Sequence, residues 1–166
     1  MAHPGRPRKC DPRVEGLFID IEKQRDDKVK TILNETGVDA PDGDARTSLI
    51  HAAAYNNVNM LIWLTDRRAN LNHQDRIGYT ALHFAAQNKL VKIAKYLLEK
   101  GANPNLQDIH GNSPLWTAVF NSMDEKGVVS LLLKYGADVN LKNKYNKTPR
   151  ELFQTIYSTD LMSSDV

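Results

Sequence analysis

Apolar positions along the chain come in two alternating kinds of short stripe. Leu82, Ala85 and Ala86 share one face of a first helical segment. Ile93, Ala94, Leu97 and Leu98 then recur at the i, i+3, i+4 spacing that buries one side of a second. The pair is repeated. The stretch "DRIGYTALHFAAQNKLVKIAKYLLEKGANPNLQ" is followed by "DIHGNSPLWTAVFNSMDEKGVVSLLLKYGADVNLK" and preceded by a looser copy, "DGDARTSLIHAAAYNNVNMLIWLTDRRANLNHQ". Thr47, Thr80 and Ser113 stand 33 residues apart and Thr148 follows 35 further on, the two extra residues falling in "NSMDEKG" between the helices of that copy. A period of this size predicts a stacked array. Helices this short cannot stand alone, so each must bury its stripe against the next copy, at about 1.5–3 kcal/mol for each Leu or Ile.

These copies resemble the ankyrin repeat family, whose unit is a β-turn followed by two antiparallel helices with a T-P-L-H-x-A signature. The resemblance runs from Asp42 to about Leu152 and includes "GANPN" at Gly101–Asn105 and "GADVN" at Gly136–Asn140. It implies an all-α fold, an ankyrin-repeat solenoid of stacked helix-turn-helix units with β-turn or hairpin fingers. The expected units are 42–74, 75–107 and 108–142. A helix pair over 11–41 is expected to close one end, and a C-terminal cap over 143–166 the other. Residues 1–10 are expected to form a flexible basic segment, with 159–166 frayed as well.

Within that frame, Val14, Leu17, Phe18 and Ile21 form one stripe of the N-terminal cap and Val29, Ile32 and Leu33 the other, with Asp11-Pro12 as the expected helix start. In the C-terminal copy Arg150 replaces Leu49, Leu82 and Leu115 of the earlier copies, which suits a face meeting water. Gly101 and Gly136 follow second helices, where a left-handed residue ends a helix cheaply. Arg68 takes that place in the first copy. A left-handed arginine costs about 1–2 kcal/mol, so the backbone is expected to depart from the pattern there. Trp63, Tyr96 and Leu131 occupy equivalent positions and are expected in the core.

His83, inside "GYTALHFAA", invites a chemical role, but the copies argue against one. Its counterparts are Ile50 and Trp116, which can neither ligate a metal nor move a proton. The resemblance implies that Thr80 caps the first helix and that His83 bonds the backbone of a neighbouring loop. The five histidines show no HExxH spacing and have no cysteine near them. The chain also lacks a Gly-rich phosphate loop and a nucleophile elbow. No catalytic residue, metal site or cofactor is therefore expected.

Recognition is expected at positions that the repeat does not need for packing. The turn tips carry Arg76, Ile77 and Tyr79, then Ile109, His110 and Asn112, then Lys144, Tyr145 and Lys147; the ends of the first helices add Tyr55, Gln87, Asn88, Phe120 and Asn121. Aromatic and arginine side chains are common interface anchors. The expected partner is another protein, bound along the concave face and turn tips. The chain is then either a general interaction module or an inhibitor of the immunity type that occludes one enzyme or toxin.

Composition changes this picture little. With 41% hydrophobic and 25% charged residues and a net charge of +2, the chain has too slight a basic excess to imply nucleic acid. The basic stretch "GRPRKCDPR" has no interleaved aromatic residue for base stacking. Cys10, the single cysteine, needs no oxidising compartment, and neither a signal peptide nor a membrane span is apparent. A cytoplasmic protein, monomeric when free, is expected.

Overall fold

The computed structural model describes residues 10–122 and 126–161. The basic segment with Arg6, Arg8 and Lys9, the middle of "NSMDEKG", and residues 162–166 lie outside the described residues. Among those described are α1 (Leu17–Glu22), α2 (Asp26–Thr36), α3 (Ser48–Ala54), α4 (Val58–Asp66), α5 (Ala81–Gln87), α6 (Val91–Glu99), α7 (Pro114–Asn121), α8 (Gly127–Lys134) and α9 (Pro149–Tyr157), with no strand. The helices α1, α3, α5, α7 and α9 pack in series as an inner row. The outer row, α2, α4, α6 and α8, packs behind, each helix against its inner partner.

Three inner helices, α5, α7 and α9, start where a Thr or Ser with extended backbone offers its hydroxyl to the third amide of the helix. Thr80 accepts from the His83 amide, Ser113 from Trp116 and Thr148 from Glu151. Thr47 holds the same backbone conformation, but its buried hydroxyl makes no hydrogen bond. Pro114 and Pro149 stand at first-turn positions, where the missing amide hydrogen is not needed. Both stripes are buried as their spacing requires: Leu82, Ala85 and Ala86 inside, and Ile93, Ala94, Leu97 and Leu98 outside.

The turns between repeats are built by one acceptor each. Oδ1 of Asp42, Asp75, Asp108 and Asn143 accepts amides two and four residues on, at 2.8–3.1 Å. The tight fingers that result are joined in series: the amides of Arg76, Ile109 and Lys144 donate to the carbonyls of Asp44, Ile77 and His110 at 2.9–3.0 Å. Gly78 and Gly111, both at positive φ, make this approach possible. A Cβ on Gly78 would lie 2.7 Å from Asp108 Cα, and one on Gly111 2.8 Å from the Lys144 amide nitrogen.

Several expectations are corrected. Arg68 does not depart from the pattern: its φ of 61° keeps the left-handed end that Gly101 (94°) and Gly136 (82°) adopt. Packing on both sides fixes the backbone and the arginine bears the strain. Arg68→Gly should therefore raise stability by about 1 kcal/mol, or roughly 2–4 °C in Tm; a urea midpoint at or below wild type would contradict this. Helix α1 begins at Leu17, not near Asp11. Asp11 instead accepts from the Arg13 amide and guanidinium, closing a turn. Trp63, Tyr96 and Leu131 are half-buried against the core and not inside it, the outer face of Trp63 covered by the Arg67 guanidinium 3.8 Å from the ring centroid.

Both ends of the domain reach further than expected. The Cys10 thiol donates to the Pro41 carbonyl at 3.0 Å, which places Cys10 on the folded body and not in a flexible segment. Residues 159–161 are not frayed. Leu161 is fully buried, and Asp160 pairs with Arg150, the residue that replaces the repeat leucine.

Candidate functional site

His83 is fully buried, and its bonds define its protonation state. The Thr80 amide, which can only donate, points at Nδ1 from 3.1 Å. Nδ1 is therefore the acceptor, and Nε2 carries the proton and donates to the Asn112 carbonyl at 3.1 Å. The ring thus closes the capping box of α5 and ties it to the next finger. Burial pushes the imidazole pKa below its usual value, against weaker upward pulls from the Asn112 bond and the carboxylates of Asp108 and Asp75. This is a neutral structural group with both nitrogens committed.

His51 is the second buried imidazole, one position later in its repeat. Nε2 lies 2.7 Å from Asp42 Oδ2, and the ring is flanked by Phe18 at 5.8 Å and Tyr55 at 6.3 Å. Burial lowers its pKa more strongly than Asp42 raises it. Asp42 already accepts two amides of its own turn through Oδ1. The His51–Asp42 pair therefore braces the first finger. At Cys10, burial followed by the neighbouring Glu15 pushes the thiol up to about 11, so it is not a thiolate nucleophile near neutral pH. Among the described residues no group of three or more His, Cys, Asp or Glu is placed to hold a metal.

The positions expected to meet a partner fall into two groups. Tyr55, Ile77, Ile109, Phe120 and Tyr145 are exposed, Phe120 by 66% and Tyr145 by 70%. Gln87, His110, Lys144 and Lys147 are exposed as well. The others are engaged within the chain, although Arg76 and Asn88 are exposed too. The Arg76 guanidinium donates to the Gly43 carbonyl, bracing the first finger. Tyr79 is half-buried and stacks on His83 at 4.9 Å, with Phe84 edge-on at 5.4 Å. Asn88 donates to Ala54, Asn121 to Thr117, and the Asn112 side chain accepts from Asn143.

Tyr79, Asn112, Phe120 and Asn121 nevertheless come together, lining a cleft of about 250 Å³ with Trp116 and Thr117. Trp116 and Thr117 were not expected at the site. The signal was the tryptophan at the position of His83, where an indole replaces the imidazole that ties α5 to the following finger. Trp116 also lines a second cleft, of about 180 Å³, with Lys147, Glu151, Leu152 and Thr155.

This geometry agrees with sequence comparisons. A family model described as ankyrin repeats (3 copies) matches residues 17–108, and one described as ankyrin repeat matches 110–144. The chain belongs to the ankyrin repeat family. It is 41% identical over 95 residues to an ankyrin repeat protein of Rickettsia felis, covering 53% of this chain and 42% of that one. To an ankyrin repeat protein of Rickettsia bellii it is 33% identical over 143 residues, covering 79% and 40%. To human BCL-6 corepressor-like protein 1 it is 38% identical over 112 residues, 66% of this chain and 6% of the relative. The chain thus spans less than half the length of each. Ankyrin repeats are generally modules for binding other proteins. Among the described residues no helix is long and apolar enough to cross a membrane.

Proposed function

We propose that this chain is a non-catalytic module that binds another protein along its finger tips and the inner row of helices. The observation that carries the reading is the exposure of Tyr55, Ile77, Ile109, Phe120 and Tyr145 at tips and inner-helix ends. Large apolar side chains in that arrangement add little to the core and are typical contact anchors. The buried imidazoles favour the same reading, since both nitrogens of His83 and Nε2 of His51 are taken up by the scaffold. A cytoplasmic setting is part of the proposal, supported by the one cysteine, as is a monomeric free state.

The test uses four exposed side chains, of which Tyr55 also flanks the His51 ring. Combined Tyr55→Ala, Ile109→Ala, Phe120→Ala and Tyr145→Ala should reduce recovery of the native partner from host extract at least tenfold, by quantitative mass spectrometry. The urea midpoint should stay near that of wild type. Undiminished recovery would move the contact surface elsewhere. Arg76 and Tyr79 are unsuitable for this purpose because their substitution disturbs the fingers. The narrower form, an inhibitor of one enzyme or toxin, requires that the recovered partner lose activity when the chain is added back.

A further inference from the structure

The two clefts that share Trp116 differ from the rest of the surface in shape and in surroundings. Each is of side-chain size, about 250 Å³ on the Tyr79–Phe120 side and about 180 Å³ on the Leu152 side, so an indole forms the wall between two small cavities. At the preceding junction the equivalent position holds His83, bonded to Asn112. Among the described residues Trp116 makes no such bond; the fourth finger is held by Asn143 on Asn112 and the Lys144 amide on His110, and an opening lies beside it.

Charge says what sits there. The fourth finger carries Lys142, Lys144 and Lys147, all exposed, and Lys147 lines the second cleft itself. Among the described residues none of the three is in an ion pair. Glu151 on the cleft wall accepts the Thr148 amide at 2.9 Å, and that bond, with the nearby Lys147 and Lys142, holds its carboxyl below the usual range. The first finger differs, because its Asp42 is braced by His51 and its exposed Asp44 faces Arg76. The three exposed lysines of the fourth finger therefore give the end where the clefts lie a local basic character.

Resting on the protein-binding reading, we infer that the Trp116 clefts take two apolar side chains of an acidic partner segment, with carboxylates flanking them on the lysines of the fourth finger. Two side chains on one face of an extended segment are roughly 7 Å apart, a spacing suited to straddling one indole. The charge complementarity sets orientation and speeds encounter, while the buried apolar pair holds the complex.

The probes are acetyl-Asp-Glu-Leu-Ser-Leu-Glu-Asp-amide and its counterpart with lysine at all four acidic places. They are titrated into the 166-residue chain while the two indole N–H resonances are followed by NMR. The acidic peptide should shift the Trp116 resonance saturably and leave Trp63 unmoved. The lysine peptide should bind at least tenfold more weakly. The exposed double variant Lys144→Glu, Lys147→Glu should weaken the acidic peptide at least tenfold with an unchanged Trp63 resonance. Equal binding of both peptides, or a Trp116 resonance unmoved at millimolar acidic peptide, would overturn the inference. So would an oligothymidylate that shifts Trp116 as tightly as the acidic peptide, which would point to nucleic acid. Loss of partner recovery in the four-alanine variant reports on the wider surface, so the broader reading can stand if only the anchor chemistry fails.

Discussion

His83→Ala should lower the unfolding free energy by about 3 kcal/mol. The change removes a fully buried ring and leaves a void walled by Tyr79, which stacks on it. It also strips the Thr80 amide and the Asn112 carbonyl of their partners. A buried amide or carbonyl left unpaired costs roughly 1–3 kcal/mol, and the loss of packed ring atoms adds to it. The damage should extend beyond α5, because the Asn112 bond joins this repeat to the following finger. In an array stabilised by its interfaces, weakening one junction lowers cooperativity as well as the midpoint. Urea unfolding followed by circular dichroism should show the lower midpoint with a smaller slope. A loss under 1 kcal/mol would mean that water or a rearranged finger replaces both bonds.

The same residue shows what was legible in the sequence and what was not. The period of 33 and the small apolar faces specify the stack, because removing apolar surface from water is the main driving force of folding and its spacing is written in Leu82, Ala85, Ile93 and Leu97. The counterparts Ile50 and Trp116 argued only against a chemical role for His83, and its bond to the neighbouring loop followed from the family resemblance. Local backbone strain was less legible. Asn56, Lys89 and Arg68 all adopt positive φ without being glycine, since about 1–2 kcal/mol at one residue yields to the packing of whole helices on either side. The surface was harder still. Arg76 looks like a free anchor until the spacing of consecutive fingers brings the Gly43 carbonyl within reach of its guanidinium. Trp116 looks like a departure from the motif until the two clefts beside it are seen. Such facts depend on distances between repeats, which no single repeat encodes.

The buried imidazoles also make the fold sensitive to acid. Unfolded, each titrates near 6.5; folded, burial holds both His51 and His83 below that value. As pH falls below about 6.5, the unfolded chain takes up protons that the folded chain does not, so stability falls. The loss continues until the folded values are reached. For His83 the cause is geometric as well as dielectric, because a proton on Nδ1 would face the Thr80 amide hydrogen and break the capping box. For His51 the Asp42 carboxylate stabilises the charged ring and partly offsets burial, so its share should be the smaller. Each imidazole can contribute at most about 1.4 kcal/mol per pH unit, so the slope below pH 6 should stay under about 2.7 kcal/mol per unit, with His83 giving the larger part. Unfolding free energies measured from pH 7.5 to 5 should be flat at first and then fall. His83→Ala should be less stable throughout but should lose less on acidification. A wild-type curve level down to pH 5, or a His83→Ala curve as steep as wild type, would show that the ring accepts its proton inside the fold without loss.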